Sequence, residues 1–129
     1  MVAADTNVIV RLLTRDDEAQ FKKSVQFFQE QTIFIPNTVV LETAWVLRYA
    51  YKFTPSQIAN GLQSLFGLPN VQLSNSSVMN QVLRWYGQGL DFADALHLAS
   101  SQPCSSLWTF DQKFAKRSQG LSSCKVNVL

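Results

Sequence analysis

The chain alternates between short apolar runs and longer stretches in which apolar side chains recur every three or four residues. The short runs, at residues 1–4, 31–35, 71–73, 106–110 and 125–129, predict β-strands. The longer stretches predict helices, which begin near Asn7, Asp17, Asn37, Thr54, Ser76, Asp91 and Asp111. Strands that are separated by helices pair in parallel, so we expect an α/β fold with helices on both faces of a parallel sheet of four to five strands.

Some boundaries of these elements carry specific residue signals. Thr54-Pro55 is a cap residue followed by proline at the first helical position, and Asn37 is expected to cap the helix that follows Pro36. Gly61 lies in the middle of a predicted helix, where glycine is unfavourable, so we expect it to mark a close contact.

Length and composition limit the class of protein. The 129 residues, 47% of them hydrophobic, fit a single domain over 1–129 that needs no disulfide or metal to stabilise its core. The net charge of +2 permits an anionic partner without predicting one. A signal peptide would need a basic and then an apolar run at the start of the chain, and Asp5 stands there instead. No apolar run is long enough to span a membrane. Cys104 and Cys124 lack the spacing of metal ligands. We therefore expect a cytoplasmic protein with two reduced thiols.

Two predicted strands end directly at an aspartate. Asp5 follows the first strand and Asp111 follows Trp108-Thr109-Phe110. Ligands of open parallel sheets bind outside the carboxyl ends of the strands, so both carboxylates are candidates for a functional site. The alternative is that each aspartate only caps the helix that follows it.

Glu42 is the only acidic residue between Glu30 and Asp91, and its neighbours one helical turn away are apolar. A carboxylate that is buried alone costs several kcal/mol, so we expect Glu42 to be paired, neutralised or bound to a cation. The alternatives are a salt bridge to Arg11 or Arg48, or a side chain that reaches water.

Asp91 and Asp94 lie three residues apart at the start of a predicted helix. Asp91 is best explained as the cap, whereas the spacing of Asp94 fits both a site and an interaction with the positive helix end. His97 follows one turn later and is interpreted as a hydrogen-bonded structural residue.

Carboxylates that meet in one crevice repel one another unless a divalent cation compensates them. Oxygen ligands without a histidine or cysteine pair favour Mg²⁺ or Mn²⁺. Such ions activate water on one side of a phosphodiester and stabilise the leaving oxygen on the other.

At these residues the sequence resembles a known family. Asp5-Thr6-Asn7, Glu42 followed by Trp45-Val46-Leu47, the segment from Asp94 to Ala99, and Thr109-Phe110-Asp111 are similar to the ordered acidic motifs of PIN-domain nucleases, and the size is similar to VapC-type toxins. The resemblance covers the whole chain. It implies a three-layer, Rossmann-like α/β/α fold, Mg²⁺-dependent cleavage of RNA, usually a homodimer, and inhibition by a cognate antitoxin.

The resemblance also implies roles for individual residues. The acidic tetrad, which would be catalytic and would bind metal, matches Asp5, Glu42, Asp94 and Asp111. Thr6 or Asn7 matches its polar helper, and Asp91 is a further metal candidate without a counterpart in the pattern. Related PIN domains process RNA without an antitoxin, so that function is an alternative.

Two alternatives lie outside the nucleases. A receiver-type signalling domain also gathers acids around Mg²⁺, but it needs them on loops after strands, whereas Glu42 and Asp94 fall within predicted helices. A non-catalytic binding domain would use the same acids structurally.

Basic and aromatic residues provide two further hypotheses. Positive charge that guides RNA is expected just past the two strand-end acids, at Arg11, Arg15, Lys113, Lys116 and Arg117. Large apolar side chains on the early helices are expected partly at a homodimer contact or an antitoxin groove, and these are Phe21, Phe27, Phe28, Trp45 and Tyr49.

Overall fold

Strand β1 (Val2–Ala3) pairs in parallel with β2 (Ile33–Ile35), which pairs in parallel with β3 (Val71–Leu73), in a computed structural model that describes residues 1–129. Strands β4 (Ser106–Thr109) and β5 (Lys125–Val128) form a second parallel pair. All five predicted strands are present and all pair in parallel, but they form a three-stranded and a two-stranded sheet where one sheet of four to five strands was predicted. The α/β prediction is therefore confirmed.

Seven helices separate the strands in the predicted order. They are α1 (Thr6–Thr14), α2 (Glu18–Glu30), α3 (Asn37–Tyr49), α4 (Pro55–Phe66), α5 (Ser76–Gly87), α6 (Phe92–Ser100) and α7 (Gln112–Arg117). None of them combines the length and the apolar character that crossing a membrane requires. The chain divides into two compact units, Met1–Ser76 and Ser77–Leu129, and each is described by itself.

The first unit surrounds the three-stranded sheet. Ile33 and Ile35 of β2 are fully buried, as expected for the middle strand of a parallel sheet. Helix α1 packs against α2 and α3, while α4 packs against α3 and β3. These contacts place the start of α1 and the middle of α3 close together, which brings the first two acids within reach of one residue, as described below.

The second unit contains the β4–β5 pair, against which α7 packs. Tyr86 of α5 and Phe92 of α6 are both buried and meet edge to face, with ring centroids 5.1 Å apart. The apolar face of α6 is buried at Ala95, Leu98 and Ala99. Burial of this face leaves the opposite face of α6 available for polar side chains.

The helix boundaries test the predicted cap residues. Thr54 caps α4 with Pro55 at the first helical position, as predicted, and Thr54 also forms a reciprocal capping box with Gln57. The prediction for Asn37 is wrong, because Asn37 is the first residue inside α3 and Pro36 occupies the cap position without a side-chain hydrogen bond. The Oδ1 atom of Asn37 is instead buried without a partner.

Two smaller predictions have clear outcomes. Nothing lies within 4 Å of the position that a Cβ atom would take at Gly61, so the expected close contact is absent and that prediction is wrong. Cys104 is exposed, Cys124 is buried and neither forms a disulfide, which confirms two free thiols.

Candidate active site

Asp5 lies just after the end of β1 and caps helix α1. Its Oδ1 atom accepts a 2.7 Å hydrogen bond from the backbone N–H of Thr6, and the side chain is exposed. The cap interpretation is therefore correct, but it uses only one of the two carboxylate oxygens. The Oδ2 atom makes no hydrogen bond within the protein and remains available to a ligand.

Thr6 connects this cap to the second acid of the unit. Its side chain is 4% exposed, and its hydroxyl donates a short hydrogen bond to Oε1 of Glu42 on α3. One buried residue thus holds Asp5 through its backbone and Glu42 through its side chain. Asn7, the other predicted helper, is exposed and makes no side-chain hydrogen bond.

The prediction that Glu42 is a buried carboxylate is wrong. Its side chain is exposed, so the predicted cost of burial does not arise. Its buried neighbours in α3 are Thr43 and Ala44, and the salt bridges predicted as alternatives, to Arg11 or Arg48, are absent. Glu42 is a solvent-accessible carboxylate that is oriented by Thr6.

In the second unit, Asp91 caps helix α6. Its Oδ2 atom accepts a 3.2 Å hydrogen bond from the backbone N–H of Asp94, as expected for a cap. Asp94 itself lies at the third helical position and is half-buried. The cap role of Asp91 leaves Asp94 as the acid of this segment that faces a pocket.

Asp111 follows β4 and caps α7 through a single oxygen. Its Oδ1 atom accepts from the backbone N–H groups of Lys113 and Phe114, at 2.9 and 3.1 Å. As with Asp5, the Oδ2 atom is left without a protein partner. Asp94 and Asp111 line one open pocket of about 610 Å³ together with His97 and Trp108.

Electrostatic interactions within this pocket disfavour the charge on Asp94. Burial raises the pKa of the Asp94 carboxyl above its ordinary value, and the negative charges of Asp91 and Asp111 raise this pKa further. The charge of His97 acts in the opposite direction. A cation beside Asp94 and Asp111 would relieve this repulsion, which is the behaviour expected of a metal-binding pair.

Asp94 and Asp111 fit Mg²⁺ because that ion is commonly held by one or two carboxylates while it keeps several waters. The unpartnered Oδ2 atom of Asp111 and the destabilised charge on Asp94 support this assignment. Within either unit, no three or more acidic, histidine or cysteine side chains are gathered closely enough to hold a metal ion by themselves. A cation held by Asp94 and Asp111 would complete its coordination with waters.

Sequence reasoning missed two residues of this pocket. His97 is exposed, lines the pocket and makes no side-chain hydrogen bond, so its interpretation as a hydrogen-bonded structural residue is wrong. Its position three residues after Asp94, on the same helical face, was the available signal. Trp108 also lines the pocket, whereas the sequence pattern assigned it only to a strand.

The basic residues predicted to guide RNA fall into two groups. Arg11 forms a 3.2 Å salt bridge with Asp16, and Arg15 forms one of 2.9 Å with Glu18, so both guanidinium groups already have acidic partners. The other three are exposed on α7 and form no salt bridge, and they are Lys113, Lys116 and Arg117. Positive charge that is free to meet phosphate is therefore found on α7.

Comparison with known proteins provides one match. A family model described as the PIN domain matches residues 2–119, which is more than nine-tenths of the chain. A search among curated proteins found no match. The matched range includes all four predicted acids, and together with the parallel strands it confirms the Rossmann-like α/β/α fold. It also excludes the receiver-type alternative.

Proposed function

This chain belongs to the PIN-domain family, whose members are generally metal-dependent nucleases, and from that premise we propose a more specific function. The protein is an endoribonuclease that uses Mg²⁺ or Mn²⁺ to hydrolyse RNA phosphodiesters, and it is the toxin of a type II toxin–antitoxin pair. It acts in the cytoplasm as a single domain over residues 1–129.

The pairing of Asp94 with Asp111 in one pocket carries this proposal. The two carboxylates come from different elements, α6 and the end of β4, and burial together with the charges of Asp91 and Asp111 disfavours the charge on Asp94. A structural role would favour partners of opposite charge, and neither acid has a salt bridge. Two unpaired, like-charged acids in one pocket are typical of a cation site.

The four acids have related roles in the proposed reaction. In the second unit Asp94 and Asp111 would hold the cation, and in the first unit the free oxygens of Asp5 and Glu42 are available to a cation or to a proton from water. Thr6 orients Glu42 and does not itself react. When bound, the cation lowers the pKa of a coordinated water and stabilises the charge on the leaving oxygen. The expected product has a 5′-phosphate, because the chain's single histidine leaves no pair for 2′-hydroxyl chemistry.

An exposed aromatic pair on α3 supports the proposed partners. Trp45 and Tyr49 are 61% and 53% exposed, and their rings pack together with centroids 5.5 Å apart. Of the other predicted contact residues, Phe28 is buried in the core, while Phe21 and Phe27 are half-buried. We assign the Trp45–Tyr49 pair to the interface with a second copy or with the antitoxin, because exposed aromatic clusters are enriched at interfaces.

The nuclease proposal is tested by incubating the purified protein with end-labelled single-stranded RNA in Mg²⁺, in Mn²⁺ and in EDTA. Asp5→Asn, Asp94→Asn and Asp111→Asn should each abolish cleavage. Asparagine caps helices as well as aspartate does, so the variants at positions 5 and 111 remove charge without removing the cap. Asp17→Asn is the matched control, because Asp17 caps α2 in the same manner outside the proposed site.

Several outcomes would contradict the nuclease proposal. These are full activity in EDTA, a 2′,3′-cyclic phosphate product, or a variant at position 5, 94 or 111 that cleaves like the parent. Loss of activity in Asp17→Asn would show that neutralising any helix-capping aspartate reduces activity, so that the effects are not specific to the proposed site.

The toxin proposal needs a separate experiment in cells. Induced expression of the chain should arrest growth, Asp94→Asn should not, and co-expression of a small DNA-binding protein encoded next to it should restore growth. Growth that is unaffected by the active nuclease would favour the alternative, an RNA-processing PIN domain without an antitoxin.

A further inference from the structure

Trp108 differs from the other two tryptophans of the chain. Trp85 is buried, and Trp45 packs against Tyr49. Trp108 is 58% exposed on β4, and it forms neither an aromatic pair nor a cation–π contact within the protein. A large flat ring that remains in water forgoes the stabilisation that its burial would provide. Such a ring is a candidate for contact with a ligand.

The surroundings of Trp108 indicate the class of ligand. Trp108 lines the same pocket as Asp94, His97 and Asp111, and the rest of the lining combines the hydroxyl residues Ser100, Ser101 and Thr109 with the apolar Leu107 and Phe114. Charged residues are depleted at the centres of protein–protein interfaces, so this mixture does not favour a protein partner. A nucleotide combines a flat base with a polar sugar and an anionic phosphate, and the pocket offers a surface for each of them.

We infer that Trp108 is a specificity-determining residue that stacks on an unpaired base of the RNA beside the phosphate to be cleaved. This inference rests on the proposed function, because the two aspartates repel a phosphate unless a cation lies between them. Stacking on an aromatic side chain requires a base whose face is free, and bases within a duplex cover one another. Trp108 therefore selects single-stranded regions of RNA and contributes little to the choice among the four bases.

The position of Phe110 is consistent with a strand that continues along this surface. Phe110 is 77% exposed, lies two residues after Trp108 and immediately precedes Asp111. Its ring also lacks a partner within the protein. In proteins that bind single-stranded RNA, successive bases stack on successive aromatic side chains. Phe110 is therefore the expected stacking surface for a neighbouring base.

The first test measures binding with Mg²⁺ in an Asp5→Asn background, which keeps the proposed cation ligands Asp94 and Asp111 and in which no cleavage is expected. Trp108→Leu removes the π face, whereas Trp108→Phe retains one. Removing a stacked base contact elsewhere weakens binding by about five- to a hundred-fold, so Trp108→Leu should raise the Kd for a short oligouridine by about that factor. Trp108→Phe should bind more tightly than Trp108→Leu. In cleavage with Mg²⁺, Trp108→Leu should raise KM for single-stranded RNA more than it lowers kcat.

A second measurement uses the parent protein and does not depend on the folding of a variant. Oligouridine should quench the tryptophan fluorescence, and the same oligonucleotide with abasic residues at its centre should bind more weakly and quench less. Trp45→Phe is the matched control, because it removes the other exposed tryptophan and should preserve the quenching. Trp108→Phe should abolish the quenching while it still binds the oligonucleotide.

Equal affinity of the parent for the intact and abasic oligonucleotides would overturn the inference. An unchanged Kd in Trp108→Leu would overturn it as well, and a change only in the sedimentation of that variant would assign Trp108 to a contact between copies. These failures are distinguishable from failure of the nuclease proposal. If the parent cleaves RNA with Mg²⁺ and Trp108→Leu cleaves with the same KM, the function stands and the stacking role is wrong.

Discussion

The hydroxyl of Thr6 donates a hydrogen bond to Oε1 of Glu42, and this bond joins two residues that are 36 positions apart in the sequence. Helices α1 and α3 contact each other at this point. Because the same threonine also donates its backbone N–H to Asp5, one buried residue holds both acids, Glu42 through its side chain and Asp5 through its backbone.

Replacing Thr6 with valine should reduce kcat for RNA cleavage and leave KM nearly unchanged. Valine matches the shape of threonine but cannot orient Glu42, and the exposed carboxylate remains hydrated, so we expect a loss of about 1 kcal/mol or less in unfolding free energy. Thr6→Ser should restore cleavage because it retains the hydroxyl. A Thr6→Val protein with the kcat of the parent would show that the hydrogen bond has no positioning role.

Neutralising Lys113, Lys116 and Arg117 together should weaken RNA binding and flatten its salt dependence. Each phosphate contact to single-stranded RNA contributes about 0.7 to the slope of log K against log salt, so the triple variant should lose a slope of about two. The control is the Arg11→Gln, Arg15→Gln double variant, whose residues already pair with acids and should change the slope less. An unchanged slope in the triple variant would place the RNA path away from α7.

The Trp45–Tyr49 pair should determine the oligomeric state. Trp45→Glu introduces charge into the proposed interface, so sedimentation should shift from dimer towards monomer, or a co-purified antitoxin should be lost. Leu68→Glu, at another exposed apolar residue of the same unit, is the control and should have no such effect. A parent that is monomeric at high concentration and binds no co-encoded protein would contradict this prediction.

Asp16 should make the stability of the first unit sensitive to acid. The hydrogen bond from Tyr51 lowers the pKa of Asp16 most strongly, and the hydroxyl of Thr14 and the charge of Arg11 lower that pKa further. A carboxyl with a lowered pKa stabilises the folded state above its unfolded pKa of about 3.9, and this contribution is lost as the pH falls through the folded pKa.

Asp16→Asn should therefore flatten the dependence of unfolding free energy on pH in this acidic range, and Tyr51→Phe should do so in part. Urea unfolding at several pH values measures the effect. Equal pH dependence in the parent and in Asp16→Asn would show that this cluster makes no contribution.

Gly61→Ala should stabilise the protein by about 0.5–1 kcal/mol, because alanine is the better helix former and nothing lies near the new methyl group. Gly89→Ala is the control and should lower the free energy of unfolding, since Gly89 has a φ of +106° that alanine adopts only with strain. Urea unfolding measures both. A Gly61→Ala protein that is less stable than the parent would indicate a close contact at position 61.

The order of elements followed from the sequence because apolar periodicity and helix caps are local properties. Thr54 and Asp91 precede the helices that they were expected to cap, and the helix expected near Asp17 begins at Glu18. Asp5 and Asp111 also act as caps, which was the alternative to a role in a site. Asn37 is the exception, because Pro36 occupies the cap position and Asn37 enters the helix. The acidic motifs were equally local, which is why their resemblance to PIN domains was visible before any coordinates.

The sequence by itself therefore determined the α/β class, the helix starts and the acidic motifs, since each depends on residues within one or two turns. Only the tertiary structure decided that Glu42 is exposed and held by Thr6, that His97 lines a pocket, and that the ring of Trp108 lies open to solvent. Those outcomes depend on which faces of distant elements pack together. The periodicity of a single strand or helix does not contain that information.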